Sequence, residues 1–309
     1  MNAHAQRLAN RSVIAAVALL ACACRGVLAP APDGSPVRRI ELNGAELAYR
    51  EQGQGEAVIF LHSLAADLHV WDELARRFPR NFRFIAYSRR HHTPNRWPDD
   101  GDSHTLDQHV EDLAALIPAL GLDHAHVVAL GLGARVAAHT ALRHPNVVRT
   151  LVVGDGVLAV PATDEARRVV EAFGAQFETV AERVDVGDER GTAVAVVEWL
   201  SREEGGWSAL SASRQATYLD NARTLFLVTR DKTLRAPGCE ALETLRMPVM
   251  ILAGERTPPG LRVTNEAAAA CIPGASYERV PDSGHFWYAD NPEAGANHVV
   301  RFLAKHRQR

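Results

Sequence analysis

Short apolar runs separated by helical patterns are the feature that most constrains the fold of this chain. The runs lie at Ala57–Leu61, Phe82–Tyr87, His126–Leu130, Thr150–Val153 and Pro248–Ala253. Continuous runs of this length are typical of strands buried on both faces of a parallel sheet. The alternation therefore predicts an α/β fold with a mostly parallel central sheet.

Helical patterns follow several of these predicted strands. Thr105–Leu120 carries an apolar stripe at helical spacing and is followed by Gly121, a residue typical of helix ends. Gly133–Arg143 is rich in alanine, and alanine favours helices. Leu261–Cys271 and Pro292–Lys305 are predicted as two more helices.

Two further segments add to this core. Apolar and polar residues alternate on both sides of Asn43-Gly44, which predicts an antiparallel hairpin before the parallel strands. Residues 161–245 interrupt the alternation with helical patterns only, at Glu165–Phe177, Thr192–Leu200 and Ala212–Val228. We expect a helical cap, inserted before the last two strands, over the sheet edge where ligands bind in α/β folds.

Residues 1–24 have the pattern of an export signal. Arg7 and Arg11 precede the apolar stretch Val13–Leu20, which is too short to span a bilayer. Leu19–Cys22 resembles a lipoprotein cleavage box with Cys22 as the lipidated residue, and the same region also fits ordinary secretory cleavage. We expect an exported protein that is periplasmic, secreted or anchored to a membrane by a lipid. The alternative is an N-terminal arm on a cytosolic protein.

The composition restricts the partners and the redox chemistry. Residues 25–36 are rich in proline and predict a linker, so the folded domain spans 37–309. Lys+Arg 34 against Asp+Glu 37 gives a net charge of −3, which argues against a nucleic-acid partner. Cys239 and Cys271 could pair in an oxidising compartment. We instead expect Cys271 to be a small, buried, unpaired residue, because it follows an alanine run on a helix.

Four local motifs occur in a fixed order along the domain. They are Phe60-Leu61-His62-Ser63 with Val70-Trp71, Tyr87-Ser88-Arg89-Arg90-His91-His92-Thr93-Pro94-Asn95, Val128-Ala129-Leu130-Gly131-Leu132-Gly133-Ala134, and Pro281-Asp282-Ser283-Gly284-His285-Phe286 with Asn291-Pro292. In this order they resemble the α/β-hydrolase family over about Val37 to the C-terminus. The resemblance implies the α/β-hydrolase fold and a site made of a nucleophile, an acid and a histidine.

The nucleophile position of this resemblance is altered. The family pattern is G-x-S-x-G, and here Gly131 stands in the place of the serine. Val127–Val136 contains no Ser, Cys or Asp, so no covalent intermediate can form at this turn. We expect the missing side chain to leave room for a larger ligand or a water molecule.

The acid position is altered as well. Thr257 stands where the resemblance implies an aspartate after the penultimate strand, and Thr cannot carry a negative charge. Asp155 follows an earlier strand and is the preferred replacement, although such an Asp also occurs for capping alone. Glu255 is a second candidate that we expect to point elsewhere. The resemblance implies His285 as the catalytic histidine.

Backbone groups could still bind an oxyanion. The resemblance implies one N–H donor at Leu132, and a second at Ser63 or Leu64, and these residues with Gly131 would line the pocket. Ser63 replaces a glycine that is usual in the family. It could be a displaced nucleophile, an oxyanion donor or a residue whose hydroxyl only stabilises its loop.

Several other residues are candidates for ligand or turn roles. His91 and His92, with His104 and His109, invite a metal hypothesis, but no HxH or HExxH spacing supports one, so no metal is predicted. Gly131-x-Gly133 lacks the third glycine of a dinucleotide site, and no cofactor is predicted. Ser88 is expected to make a turn hydrogen bond. The aromatic residues of the cap are expected in its core and in the pocket wall, at Trp199, Trp207 and Phe226.

Three functions fit these residues. The first is an enzyme in which His285, oriented by Asp155, acts as a general base on a small, partly apolar molecule. Such a base suits a non-covalent hydrolase, a lyase, an isomerase or a cofactor-free oxygenase. The second is an inactive relative that binds a ligand, and the third is a serine hydrolase with a displaced nucleophile. The substrate and the oligomeric state are not encoded in a recognisable pattern.

Overall fold

The computed structural model describes residues 36–202 and 205–307. The predicted signal at residues 1–24, with the lipidation candidate Cys22, lies outside the described residues. So does the predicted linker apart from its last residue. Within the described part of the chain, no helix combines the length and apolar character needed to cross a membrane.

An eight-stranded sheet forms the centre of the molecule. Its strands, in chain order, are β1 (Arg38–Leu42), β2 (Ala45–Gln52), β3 (Glu56–Leu61), β4 (Phe82–Tyr87), β5 (Ala125–Leu130), β6 (Val148–Gly154), β7 (Val249–Gly254) and β8 (Ser276–Val280). In space they run β1-β2-β4-β3-β5-β6-β7-β8. The first two form an antiparallel hairpin, β2 lies antiparallel to β4, and the remaining pairs are parallel. The predicted fold class is confirmed.

Apolar side chains cover both faces of the sheet. Along β3, Val58 and Phe60 belong to one core and Ile59 and Leu61 to the other, and all four are fully buried. This period of two follows from the pleat of a strand. It explains why the parallel strands appear in the sequence as uninterrupted apolar runs.

Helices cover the sheet and supply the cap. Those outside the cap are α1 (Asp72–Arg77), α2 (Leu106–Ala119), α3 (Leu132–Arg143), α11 (Pro259–Cys271), α12 (Trp287–Asp290) and α13 (Pro292–Lys305). Those between β6 and β7 are α4 (Asp164–Ala175), α5 (Glu178–Asp185), α6 (Glu189–Ser201), α7 (Gly206–Ala209), α8 (Ala212–Asn221), α9 (Thr224–Arg230) and α10 (Cys239–Leu242). This segment lies before the last two strands, as predicted.

One predicted cap helix is divided in two. The sequence predicts a continuous helix over Ala212–Val228, whereas α8 ends at Asn221 and α9 begins at Thr224. The Asn221 side chain donates to the Thr217 carbonyl at 2.8 Å and to Asp67 Oδ2 at 2.9 Å. A side chain that bonds the backbone and a residue outside the helix favours a helix end.

The expectation for the two cysteines was wrong. Cys239 and Cys271 form a disulfide that joins α10 to the last residue of α11, with their Cα atoms 5.1 Å apart. Cys271 is only half-buried and Cys239 is exposed. The end of the cap packs against α11 and brings the two residues together, and no local sequence pattern predicts this packing.

Candidate active site

Five loops at the carboxyl edge of the sheet bring the predicted site residues together. Ser63 follows β3, Gly131 follows β5, Asp155 follows β6, Thr257 follows β7 and His285 follows β8. In a parallel sheet these loops share one edge, which is where open α/β sheets bind their ligands.

His285 and Asp155 form a buried pair. His285 Nδ1 lies 2.7 Å from Asp155 Oδ2, and the two residues are 1% and 3% exposed. Asn265 fixes the carboxylate from the other side, because its Nδ2 donates to Asp155 Oδ1 at 2.6 Å and its Oδ1 accepts the Asp155 N–H at 2.9 Å. The carboxylate is therefore held by groups on two sides while it faces the imidazole.

Thr257 supports this carboxylate from the position where the resemblance implies an acid. Its hydroxyl donates to Asp155 Oδ2 at 3.3 Å and accepts the Gly254 N–H at 3.1 Å. Glu255 is exposed and accepts the Asp282 N–H, so it does not face the imidazole. Of the two acids considered from the sequence, the structure brings only Asp155 to His285.

The other imidazole nitrogen makes no hydrogen bond to the residues that the structure describes. His285 Nε2 is buried and has no hydrogen-bond partner in the described residues, and His285 lines a cavity of about 340 Å³. A carboxylate on Nδ1 favours the tautomer whose proton is on Nδ1. In that tautomer Nε2 carries a lone pair and can accept a proton.

Gly131 forms the turn between β5 and α3. Its φ of 56° is in the region that favours glycine, its N–H donates to the Gly154 carbonyl at 2.9 Å, and its carbonyl accepts from Ala134 N–H at 3.0 Å. A β-carbon on Gly131 would lie 2.0 Å from Ser63 Oγ and 2.9 Å from Ser63 Cβ. The expectation of extra room beside Gly131 was therefore wrong, because the Ser63 side chain fills that space.

Two hydrogen bonds hold the Ser63 carbonyl, whereas the Ser63 hydroxyl is bound to no described residue. Arg89 Nη2 donates to the Ser63 carbonyl at 3.0 Å, and His62 Nδ1 lies 2.9 Å from the same oxygen. His62 Nε2 accepts the Arg89 N–H at 3.0 Å, so the ring proton is on Nδ1 and donates to Ser63. Among the described residues, the Ser63 hydroxyl has no hydrogen-bond partner, so it does not stabilise its own loop.

Two backbone N–H groups fit the predicted oxyanion site. Leu64 and Leu132 line the same cavity as His285. Neither N–H makes a hydrogen bond to another residue in the described ranges. Leu132 is the first residue of α3, where a helix leaves its N–H groups unpaired.

Residues 56–292 match the family model of the α/β hydrolase fold. The chain belongs to the α/β-hydrolase family. This α/β hydrolase is 24% identical over 268 residues to the 2-(acetamidomethylene)succinate hydrolase of Mesorhizobium japonicum, covering 86% of this chain and 94% of that protein. It is 26% identical over 257 residues to the sn-1-specific diacylglycerol lipase ABHD11 of Mus musculus, covering 80% and 81%.

Solved structures show the same fold. The enol-lactonase from Burkholderia xenovorans matches with a TM-score of 0.71 at 18% identity, over 86% of this chain and 100% of that chain. Identity at this level supports the architecture alone.

Apolar cap residues form much of the cavity wall in this α/β hydrolase. Phe173 and Phe177 face the cavity beside Trp199, and the Phe173 and Trp199 rings stack with centroids 4.6 Å apart. Trp207 is buried in the core, as expected. Phe226 is 38% exposed and lies under the Arg230 guanidinium, so the expectation that it packs in the cap core was wrong.

The four histidines of the metal hypothesis form one cluster of rings with His62, the residue before Ser63. Their ring centroids lie between 4.5 and 5.7 Å apart in a chain of contacts made by His62, His92, His91, His104 and His109. No group of three or more potential metal ligands occurs in the described ranges. Burial lowers the pKa of each ring, and the nearby Arg89 lowers most of them further; the pKa of His104 falls to about 3. The Ser88 hydroxyl donates to the Thr93 carbonyl at 2.7 Å, the turn hydrogen bond predicted.

Proposed function

We propose that this α/β hydrolase is a general-base enzyme that acts on a small, partly apolar molecule. His285 is the base and Asp155 orients it. The observation that carries the proposal is the arrangement of the imidazole. Its Nδ1 lies 2.7 Å from a buried carboxylate, its Nε2 has no partner in the described residues, and His285 lines the cavity. A neutral imidazole held in this way suits proton abstraction.

The proposed step needs no covalent bond to the protein. His285 Nε2 takes a proton from a bound water, or from an acidic O–H or C–H of the substrate. Negative charge then develops on a substrate oxygen, and the N–H groups of Leu64 and Leu132 stabilise it. Asp155 stabilises the imidazolium that forms. Hydrolysis by an activated water, elimination and isomerisation all use this arrangement, and the small-molecule substrate named for the Mesorhizobium relative is in keeping with it.

A probe that reports a buried base directly tests this proposal. 5-Nitrobenzisoxazole opens when a base removes its one acidic C–H proton, and the released phenolate is coloured. We expect the protein to accelerate this reaction, and His285→Ala to remove the acceleration. His144→Ala is the control, because His144 is a surface residue bound to Glu111. Equal rates in His285→Ala and the unaltered protein would contradict a catalytic base at this position.

Ser63 as a displaced nucleophile is the second candidate. An exchange of residues between two positions favours it. Gly131 stands where the family has serine, and Ser63 stands where the family has glycine. The Ser63 hydroxyl, which has no partner in the described residues, occupies the space that a side chain at position 131 would use. With His285 as its base, Ser63 Oγ would pass its proton to Nε2 and attack an ester carbonyl. The bond from the acyl carbon to the alcohol oxygen would break, the alcohol would leave with that proton, and water would hydrolyse the acyl-enzyme to the acid.

A fluorophosphonate probe separates the two candidates. Labelling that is lost in Ser63→Ala and kept in Ser208→Ala would establish the displaced nucleophile, since Ser208 is an exposed cap residue. Absence of labelling, together with His285-dependent opening of the benzisoxazole, favours the non-covalent base. If neither reaction occurs and His285→Ala changes ligand affinity by only about 0.5–1.5 kcal/mol, the chain is a binding protein.

We also propose that the protein is exported. The disulfide between Cys239 and Cys271 supports this, because such bonds persist in oxidising compartments. Intact-mass analysis of protein from its native host is the test. Loss of residues 1–21 with an added lipid mass on Cys22 would support the lipoprotein form. Loss of residues 1–23 without lipid would support ordinary secretion, and a full-length cytosolic species would contradict export.

A further inference from the structure

Arg135 brings a positive charge to the wall of an otherwise largely apolar cavity. It lies one helical turn after Gly131 on α3, and it lines the same cavity as His285 and the aromatic cap residues. Its Nε donates to the Gly156 carbonyl at 3.2 Å, which fixes the plane of the guanidinium. The side chain is therefore held in place by one backbone contact.

The rest of this guanidinium has no partner in the part of the chain that the structure describes. Nη1 and Nη2 make no hydrogen bond to a described residue, and neither lies within 4.0 Å of a described carboxylate. Asp231 is the carboxylate whose charge acts on Arg135. Its oxygens accept instead from the Leu106 N–H and from the N–H and hydroxyl of Thr233.

Arg135 is partly buried, and a ligand of opposite charge stabilises a partly desolvated cation in an apolar setting. Burial lowers the pKa of Arg135, but a guanidinium remains charged at neutral pH. Its two outer N–H groups match the two oxygens of a carboxylate. The aromatic wall nearby suits an apolar body attached to that carboxylate.

We infer that Arg135 binds the carboxylate of a substrate whose apolar body fills the cavity and whose reacting group lies at His285. This inference rests on the proposed function, because it places the substrate's carboxylate at Arg135 and its reacting group at His285 in the same cavity. Gly131 and Arg135 are separated by about 6 Å along the axis of α3, four residues at 1.5 Å each. Arg135 and His285 lie on different elements around one cavity, so the substrate class is an apolar carboxylic acid whose reactive group is away from the acid.

Octanoate and octanamide test this inference without turnover. The two have the same shape and number of non-hydrogen atoms, and only octanoate carries a charge at pH 8. We expect calorimetric titration at pH 8 to give at least tenfold tighter binding of octanoate. Arg135→Gln should reduce this preference to less than threefold. Arg143→Gln should keep it, because Arg143 is exposed on the same helix and pairs with Asp107.

Binding to His285→Ala separates the inference from the proposed function. If the preference for octanoate persists in this variant, Arg135 binds the carboxylate whether or not His285 is a base. If His285→Ala removes the preference, the carboxylate lies at the imidazole and the inference is wrong. Equal binding of the two probes, a preference unchanged by Arg135→Gln, or no binding of octanoate up to its solubility would each overturn it as well.

Discussion

The side chain of Ser63 occupies the position that a side chain on Gly131 would need, with Ser63 Oγ 2.0 Å from the place of the missing β-carbon. The two residues lie on different loops, after β3 and after β5. The carbonyl of Ser63 is held by two donors, from His62 and Arg89, which limits how far its loop can retreat. The effects of substitutions at Ser63 and Gly131 on stability are therefore expected to be coupled.

The first prediction concerns this shared space. Gly131→Ser alone should destabilise the protein by about 1–3 kcal/mol, because its side chain overlaps Ser63 and its backbone has a positive φ. Combining it with Ser63→Gly should recover at least 1 kcal/mol of that loss, since the overlap disappears. Urea unfolding of the two single variants and the double variant measures the coupling.

The same double variant also tests the geometry of the turn. With a serine returned to the turn and His285 in place, fluorophosphonate should label the new serine more strongly in the double variant than in Gly131→Ser alone. Additive stabilities and equal labelling would show that Ser63 and position 131 do not compete.

The second prediction compares the roles of Asp155, which pairs with His285, and Thr257, which donates to the Asp155 carboxylate. Asp155→Asn should lower turnover by about 10³–10⁴-fold, because an amide cannot stabilise the imidazolium and favours the wrong imidazole tautomer. Thr257→Val removes one 3.3 Å hydrogen bond to the same carboxylate and should lower turnover by less than tenfold. Steady-state rates for the benzisoxazole, with circular dichroism to verify folding, provide the measurement. A larger loss in Thr257→Val than in Asp155→Asn would contradict the assignment.

The third prediction is an acid limit on stability. The pKa values of His62, His92, His104 and His109 are lowered in the folded protein, so below pH 6.5 the unfolded chain binds protons that the folded chain excludes. The stabilisation is complete above pH 6.5 and falls as the pH drops towards the folded pKa values. Each histidine contributes up to about 1.4 kcal/mol per pH unit.

Urea unfolding at pH 7 and pH 5 measures this effect. His109→Phe removes one buried ring whose two nitrogens have no partner in the described residues, so it should lose less stability on acidification than the unaltered protein. His144→Phe, at the surface, serves as the matched control. An unfolding free energy that stays constant between pH 7 and pH 5 would count against the proposed proton linkage.

The fourth prediction concerns the disulfide between Cys239 and Cys271. The bridged residues are 32 positions apart, so the bond restricts the unfolded chain and should contribute about 3–4 kcal/mol. The Cys239→Ala, Cys271→Ala double variant should melt about 5–15 °C lower than the oxidised protein. Addition of a reductant should lower the melting temperature of the unaltered protein and leave the double variant unchanged. Insensitivity of both proteins to the reductant would disprove a stabilising bond.

The sheet could be predicted from the sequence because its signal is local. Uninterrupted runs such as Ala57–Leu61 and His126–Leu130 are buried on both faces, and the turn at Asn43-Gly44 determines the hairpin. Asp155 could also be predicted as a candidate partner of His285, since both residues follow strands at one edge of the sheet. Choosing between Asp155 and Glu255 needed the structure, because the choice depends on where each side chain points.

The remaining features depend on contacts between distant segments. The disulfide requires α10 to pack against α11, and the break at Asn221 depends on a bond to Asp67, 154 residues away. The unpaired charge of Arg135 could not be foreseen either, because a lone arginine on a predicted helix has no sequence signal for the cavity that it faces.

The shared volume of Ser63 and Gly131 also limits how such a chain can diverge. Side chains at both positions overlap while the loop and the turn keep their places, whereas glycine at either position removes the overlap. A lineage that changes one residue at a time between the two arrangements therefore passes most easily through an ancestor with glycine at both positions. Neither position carries a hydroxyl in such an ancestor, so moving a nucleophile between these two positions one residue at a time includes a step that has no nucleophile at either.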